Sequence, residues 1–474
     1  MNKRYIAILL LCLTFAAGGC KKYLDVQPEG SYTEKEVYSN EQAIQQTLNG
    51  IYLDLADNAF YGANMSTTII ELLAQHFKPT RVAANAKDLS VFYNYSYASQ
   101  VAQDFFDTTW RKGYSIAQET NVFLANIDNS IKSKVISEAH GAQLKGEALA
   151  IRAMVQFDLL RLFGPVYSAG STSPSIPYYT VADGRLQPIY TAAEVMDKVL
   201  ADLTQSAQLL AQDPVITTGV TTGTDFYTGL RNQRLNYYAV KGLLARAYIW
   251  AGKTQAAHDA ALSVITEGEK WFPWTTSAIV NASPNPDRIF SSEILFALYN
   301  PGMYTNYLSF FSSSLSDEVI FAPDSSRLSV AFEANQNDWR FSQTWKREGK
   351  PYRTFFKYAD LTIPTLAWRF LQPMVRKSEM YYILAETDPD AATAMGYLNT
   401  ARRNRGIGPV AAGADILAEL RKEYQKEFWG EGQLFFYYKR INATGVPYAP
   451  YPYDWYTIDP EYVVPLPLSE TTTR

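Results

Sequence analysis

Cysteine is almost absent: Cys12 and Cys20 are the only two in 474 residues, and Cys12 falls in a leader expected to be removed. If Cys20 is consumed as an attachment point, the mature chain has no free thiol and no disulfide, which excludes thiol catalysis, zinc–thiolate sites and iron–sulfur clusters. Histidine is as scarce. His76, His140 and His258 are isolated from one another, and none belongs to an H-E-x-x-H pattern. There is no G-x-S-x-G elbow, phosphate-cradling loop or dinucleotide fingerprint; Gly406-Ile-Gly408 lacks the third glycine and flanking elements such a cradle needs. No cofactor and no metal site are expected. Basic runs are missing too, and removal of Lys3 and Arg4 moves the formal charge from −4 to −6, so nucleic acid is a poor partner. Only one apolar run stands out, and it is too short to span a bilayer.

That run lies at the start. Lys3 and Arg4 precede an apolar stretch from Ile6 to Ala17, followed by Ala17-Gly18-Gly19 and Cys20. Small residues directly before cysteine fit a lipoprotein signal, with residues 1–19 removed and diacylglycerol attached to Cys20. Each buried methylene contributes about 0.8 kcal/mol, so two or three acyl chains make a permanent tether. Residues 20–40, polar with Pro28 and Gly30, read as an extended leader. Residues 41–474 read as a single domain.

Helical periodicity dominates that domain. Asn40 precedes a predicted helix bearing Ala43, Leu48, Ile51, Tyr52 and Leu55; residues 100–129, 142–163 and 191–211 follow. In the 142–163 segment Leu144, Ala148, Ile151, Val155, Leu159 and Leu162 form one apolar stripe, which Gly164-Pro165 ends. Two later segments share a spacing. Measured from Tyr248 and from Ala385, small or apolar residues recur at +9, +13 and +16. Two helices joined by a tight turn give that pattern, and it resembles a tetratricopeptide hairpin. The copies are far apart, so the helical layer is expected to be interrupted by an insertion of about 268–372, rich in Pro, Ser, Asn and aromatics, with a short strand at Glu293–Leu298. The fold class is therefore mostly α, with helical hairpins, long irregular insertions and a few short strands.

An ordered set of motifs resembles the SusD/RagB family of surface lipoproteins. It runs from Cys20-Lys-Lys-Tyr-Leu-Asp25 through Gly50-Ile-Tyr52, Trp110, Tyr114 and Asn121 to Gly146-Glu-Ala-Leu-Ala-Ile-Arg152. Arg234, Leu244-Ala-Arg246-Ala-Tyr248, Asp338 with Arg340, Arg376 with Glu379, Glu386, Asn399 and Arg403 follow, then Glu423, Glu427, Glu431-Gly432, Arg440 and Pro465-Leu-Pro467. Tyr424, Gln425 and Leu434 stand where the family usually has arginines, and Tyr437 where it usually has aspartate. The resemblance implies a SusD-like fold, a lipid-anchored place on the outer-membrane surface, and partnership with a SusC-type TonB-dependent transporter barrel. It implies capture of a nutrient, most often an oligosaccharide, without catalysis. Glycosidases need two carboxylates at a set separation, but Glu423 and Glu427, at i and i+4 on a helix, are better read as caps or partners for arginines.

Aromatics supply the candidate contacts: 9 Trp, 34 Tyr and 24 Phe make up 14% of the chain. Sugar rings present flat C–H faces ringed by hydroxyls, so a receptor combines aromatic plates with amides and charged groups. Arg81 followed by Tyr93, Asn94, Tyr95 and Tyr97 has that make-up; so does Tyr299–Tyr307, with Tyr304, Asn306 and Tyr307. These eight residues, Arg81 among them and Tyr299 not, are the expected ligand contacts. Trp271-Phe-Pro-Trp274 and the Tyr448–Trp455 run are weaker candidates. The competing class is a structural or adhesive surface lipoprotein that binds another protein through its helical-repeat face. Glycan capture predicts aromatics converging with polar groups in an exposed pocket; adhesion predicts them scattered or buried.

Overall fold

Helices begin where a short polar side chain can occupy the free N–H groups of a first turn. Asn40, Ser99, Ser137 and Asn236 accept from the backbone N–H of Ala43, Ala102, His140 and Ala239, and Thr191 forms a reciprocal capping box with Glu194. The computed structural model describes residues 33–77, 88–323, 325–447, 457–458 and 460–472. The expected leader, Cys20, Arg81 and the Tyr448–Trp455 run lie wholly or largely outside them.

The helices stack in sequence order. Glu138–Phe163 lies between Gln100–Lys132 and Ala192–Leu209; Tyr237–Trp250 packs on Ala192–Leu209 and on Thr254–Glu267. Thr254–Glu267 then packs on Lys377–Thr387, which packs on Ala391–Arg403. Both predicted hairpins are present, and they are neighbours. The helical layer, expected to be interrupted, is continuous in space: the insertion leaves after Glu267 and the chain returns to the same stack at Lys377.

The central helix corrects the single-stripe reading. Glu138–Phe163 is buried on nearly every side, including Glu147, Arg152, Asp158 and Arg161. Its polar face is neutralised by Arg231 and Arg234 on Glu147, by Asp202 on Arg152, and by the internal Asp158–Arg161 pair. A helix can be enclosed this way only when every charge meets a partner.

The predicted strand is Ile294–Tyr299. It pairs antiparallel with Leu371–Arg376, from Ile294 opposite Arg376 to Tyr299 opposite Leu371. This ribbon lies on the Tyr237–Trp250 helix so closely that a Cβ on Gly242 would fall 2.9 Å from Val375 Cγ1. Within the insertion the chain also forms short helices at Met303–Phe310, Ser325–Ala331 and Trp339–Thr344. One contiguous apolar core runs through the described residues, and no helix among them is long and apolar enough to cross a membrane.

Candidate ligand-binding site

The strand Ile294–Tyr299 is buried until its last residue, and Tyr299 emerges 47% exposed. Asn300-Pro-Gly then turns the chain: Asn300 Oδ1 accepts from Gly302 N at 2.9 Å, an Asx turn that starts the Met303–Phe310 helix. The turn brings Tyr304 back toward the partner strand. Phe370 lies between the two tyrosines, its ring centroid 5.4 Å from Tyr299 and 4.9 Å from Tyr304. The Arg369 guanidinium covers Phe370 and Tyr304 at 4.8 and 5.2 Å and pairs with Asp360 at 3.0 Å. The Tyr304 hydroxyl donates to Arg369 O at 2.6 Å. Burial, together with the Asp360 carboxylate, raises its pKa, so it stays a neutral donor. Tyr299, Phe370 and Tyr304 thus form an aromatic ledge.

On the other side of Tyr299 opens a cleft of about 390 Å³, a size suited to a small ligand. Its walls are Asn49 and Leu53 from the Glu41–Leu55 helix, Asp225 and Phe226 from the loop before Arg231, and Gln233, Arg234 and Leu298. Arg234 is held on three sides. Nε donates to Glu147 at 2.9 Å and Nη1 to Asn49 at 2.8 Å, while the guanidinium plane lies over Phe226 at 4.1 Å. Its Nη2 finds no acceptor among the described residues. Burial would raise the Glu147 carboxyl, but Arg234 and Arg231 outweigh it and hold the pKa below its ordinary value. Cleft and ledge share Tyr299, which places stacking faces next to amide, carboxylate and guanidinium groups.

Most of the expected contacts lie elsewhere. Tyr93, Tyr95 and Tyr97 are buried at 4–6% exposure. Their stretch is a short helix, Ser90–Tyr93, and a turn in which Tyr95 has φ +53°. Tyr95 donates to Leu73 O at 2.9 Å, and Tyr97 to Glu461 O. Asn94 is exposed, but it follows that helix away from its buried tyrosines. Tyr307 and Asn306 are buried beneath the ledge, where Asn306 ties its helix to Asn58 and to Gly62 O at 2.7 and 3.0 Å. Of the described candidates only Tyr304 lies at this candidate site. Trp271 and Trp274 are half-buried structural rings; Trp271 Nε1 donates to Ile216 O at 3.1 Å. Phe370, Arg369, Asn49, Phe226, Gln233 and Arg234 went unrecognised as contacts, because they come together only through the ribbon and the helix stack. Tyr299 carried a local signal: it is the last residue of an otherwise apolar strand, directly before Asn-Pro-Gly.

Residues 22–222 match the family described as "Starch-binding associating with outer membrane". The fold matches a SusD superfamily protein of Bacteroides thetaiotaomicron with a TM-score of 0.70 at 22% identity, over 91% of this chain and 98% of that one. The family model covers the first part of the chain, and the fold as a whole is SusD-like. A SusD-like carbohydrate binding protein of Bacteroides vulgatus superposes with a TM-score of 0.65 at 20% identity, covering 88% of each chain. A SusD-like protein of Formosa agariphila is 24% identical over 168 residues, 34% of this chain, and that stretch spans only 31% of the relative's own length.

The SusD/RagB motif residues are chiefly scaffold. Arg246 pairs with Glu379, Arg440 with Glu386, and Arg376 with Glu431. Arg340 and Arg405 converge on Glu427, while Asn399 Oδ1 accepts from Val410 N. Glu423 and Glu427 are arginine partners, as expected. Tyr52 and Arg234 are the motif residues that reach the cleft.

Proposed function

We propose that this chain is a non-catalytic receptor that captures an oligosaccharide at the outer-membrane surface and delivers it to a SusC-type TonB-dependent transporter. The observation that carries the reading is Tyr299, exposed where the aromatic ledge meets a mostly apolar cleft whose lining also includes Asn49, Asp225, Gln233 and Arg234. A sugar leaving water needs partners for its hydroxyls and a surface for its C–H face; Asn49, Asp225, Gln233 and Arg234 offer the first, and Tyr299 with Phe370 the second. The carbohydrate-binding relative and the family description support the same class of ligand and the same membrane. Burial of Tyr93, Tyr95 and Tyr97 is the pattern an adhesive protein would give. The ledge and cleft favour glycan capture over that alternative.

A few stacked rings give modest affinity, roughly micromolar to millimolar, which allows release to a transporter. Titration calorimetry against a glycan panel is expected to show saturable binding with no cleavage products. Tyr299→Ala should weaken it about tenfold, the value of a lost aromatic contact. The melting temperature should hardly move, because this ring is already half in solvent. Unchanged affinity in a normally folded Tyr299→Ala protein would place the ligand elsewhere.

A further inference from the structure

The insertion contains a second, chemically different pocket. A two-residue ribbon pairs Trp345 with Phe355 and Lys346 with Thr354. Continuing that register by one step sets Arg347 directly opposite Arg353. Like charges at facing positions repel and destabilise a hairpin unless something of opposite sign lies between them. Both arginines line a pocket of about 190 Å³, together with Ser325, Ser329, Gln336 and Phe341. No carboxylate is among its described lining residues. Arg353 is positioned for it, its guanidinium stacked over Phe341 at 4.6 Å and Nη1 donating to Trp345 O at 2.6 Å. Arg347 forms no hydrogen bond or ion pair with any described residue.

The neighbouring acids are engaged or turned away. Glu333 pairs with Lys422 and Lys426, and Asp317 with Lys350. Glu348 follows Arg347 and faces the other side of the ribbon, where it acts on Lys346 and Arg288. What remains is a recess with two guanidinium forks, two hydroxyls and an amide. Guanidinium donors suit planar and tetrahedral oxyanions, which they can grip with two parallel bonds. We propose that this pocket is an oxyanion-binding site that takes a sulfate or carboxylate group, either free or carried on an acidic saccharide. The assignment is independent of the Tyr299 cleft.

The test uses the full chain at low ionic strength, with sodium sulfate, trigalacturonate and a neutral trisaccharide as titrants in calorimetry. Wild type is expected to bind sulfate or trigalacturonate saturably, with binding weakened about tenfold or more in Arg347→Ala, the scale of one lost charged hydrogen bond. Tighter binding of trigalacturonate than of sulfate would identify a saccharide-borne group; tighter binding of sulfate would identify a free ion. In chloride buffer Arg347→Ala should melt no lower than wild type, since it relieves the facing charges, so loss of binding cannot be ascribed to unfolding. Sulfate also stabilises proteins generally. An equal rise in melting temperature for wild type and Arg347→Ala, with no saturable heat, overturns the proposal. Asp324 lies outside the described residues and beside the lining residues Pro323 and Ser325. If oxyanions bind only to Asp324→Asn, the pocket serves the chain's own carboxylate and the proposal also fails.

Discussion

Tyr424 and Tyr437 lie face to face, ring centroids 3.9 Å apart and planes within 10°. The resemblance to SusD/RagB proteins leads one to expect an arginine and an aspartate at these positions, so a stacked pair stands where an ion pair is expected. Both rings are buried, and Arg440, held by Glu386, lies 5.3 Å from the Tyr437 centroid. Tyr437→Asp alone would put an unpaired carboxylate into the core and should cost about 3–5 kcal/mol. Adding Tyr424→Arg should recover at least about 1 kcal/mol, because the two sites are in contact. Denaturant melts of both single variants and the double variant measure the coupling; strictly additive losses would show that the two positions do not act as a pair. Tyr95 teaches a different lesson. Composition and spacing cannot separate a tyrosine that meets ligand from one whose hydroxyl satisfies a buried carbonyl, and Tyr95 serves Leu73 O. Tyr95→Phe should therefore lose about 1 kcal/mol of stability and leave glycan affinity unchanged.

Helices were legible because several carry their own evidence: a cap at Asn40, an apolar period, and a stop such as Gly164; the caps at Ser99 and Thr191 are found in the structure. The hairpins were legible from offsets alone. Their adjacency was not, because nothing local records that residues 268–372 leave the stack and return to it. The same limit hid the ligand surface, since Asn49, Arg234, Tyr299 and Phe370 come from four separate stretches. Buried charge locks other distant stretches together: Glu423 meets Arg340, Arg402 and Lys426, while Glu427 meets Arg340 and Arg405. Burial by itself would raise the Glu423 pKa, but Arg340, Lys426 and Arg402 outweigh it and bring it from 4.5 to about 2. Glu427 is held well below 4.5 in the same way. A carboxylate depressed in the folded state contributes stability that is complete above its unfolded pKa and disappears as pH falls through the folded one. Wild type should thus lose stability steadily from pH 4.5 toward pH 2. Glu423→Gln should be less stable at neutral pH by about 3–5 kcal/mol, from the cations left under-compensated, and its acid slope should be shallower. Equal slopes in guanidinium melts across that range would remove Glu423 from the linkage.

At the scale of the whole molecule, attachment to the membrane is proposed to come from lipid on Cys20, the cysteine that follows Ala17-Gly18-Gly19. A receptor that passes its ligand to a pore must stay near that pore, and the two tasks can be separated experimentally. The domain's core starts with the Glu41–Leu55 helix, whose Ile44 and Leu48 are fully buried, so loss of the anchor should not disturb folding or the Tyr299 site. Each acyl methylene contributes about 0.8 kcal/mol of membrane affinity, so two or three acyl chains supply most of the hold on the bilayer. Cys20→Ala should consequently leave the membrane fraction on a high-salt wash, with its melting temperature and its glycan affinity in calorimetry unchanged. Detergent extraction of wild type should recover a SusC-type barrel with it. Cells carrying Cys20→Ala should grow poorly when the bound oligosaccharide is the sole carbon source. A Cys20→Ala protein that stays in the washed membrane fraction, or wild type whose mass spectrum shows an unmodified N-terminus away from Cys20, would overturn the lipid anchor and leave the binding site to be judged on the Tyr299 experiment.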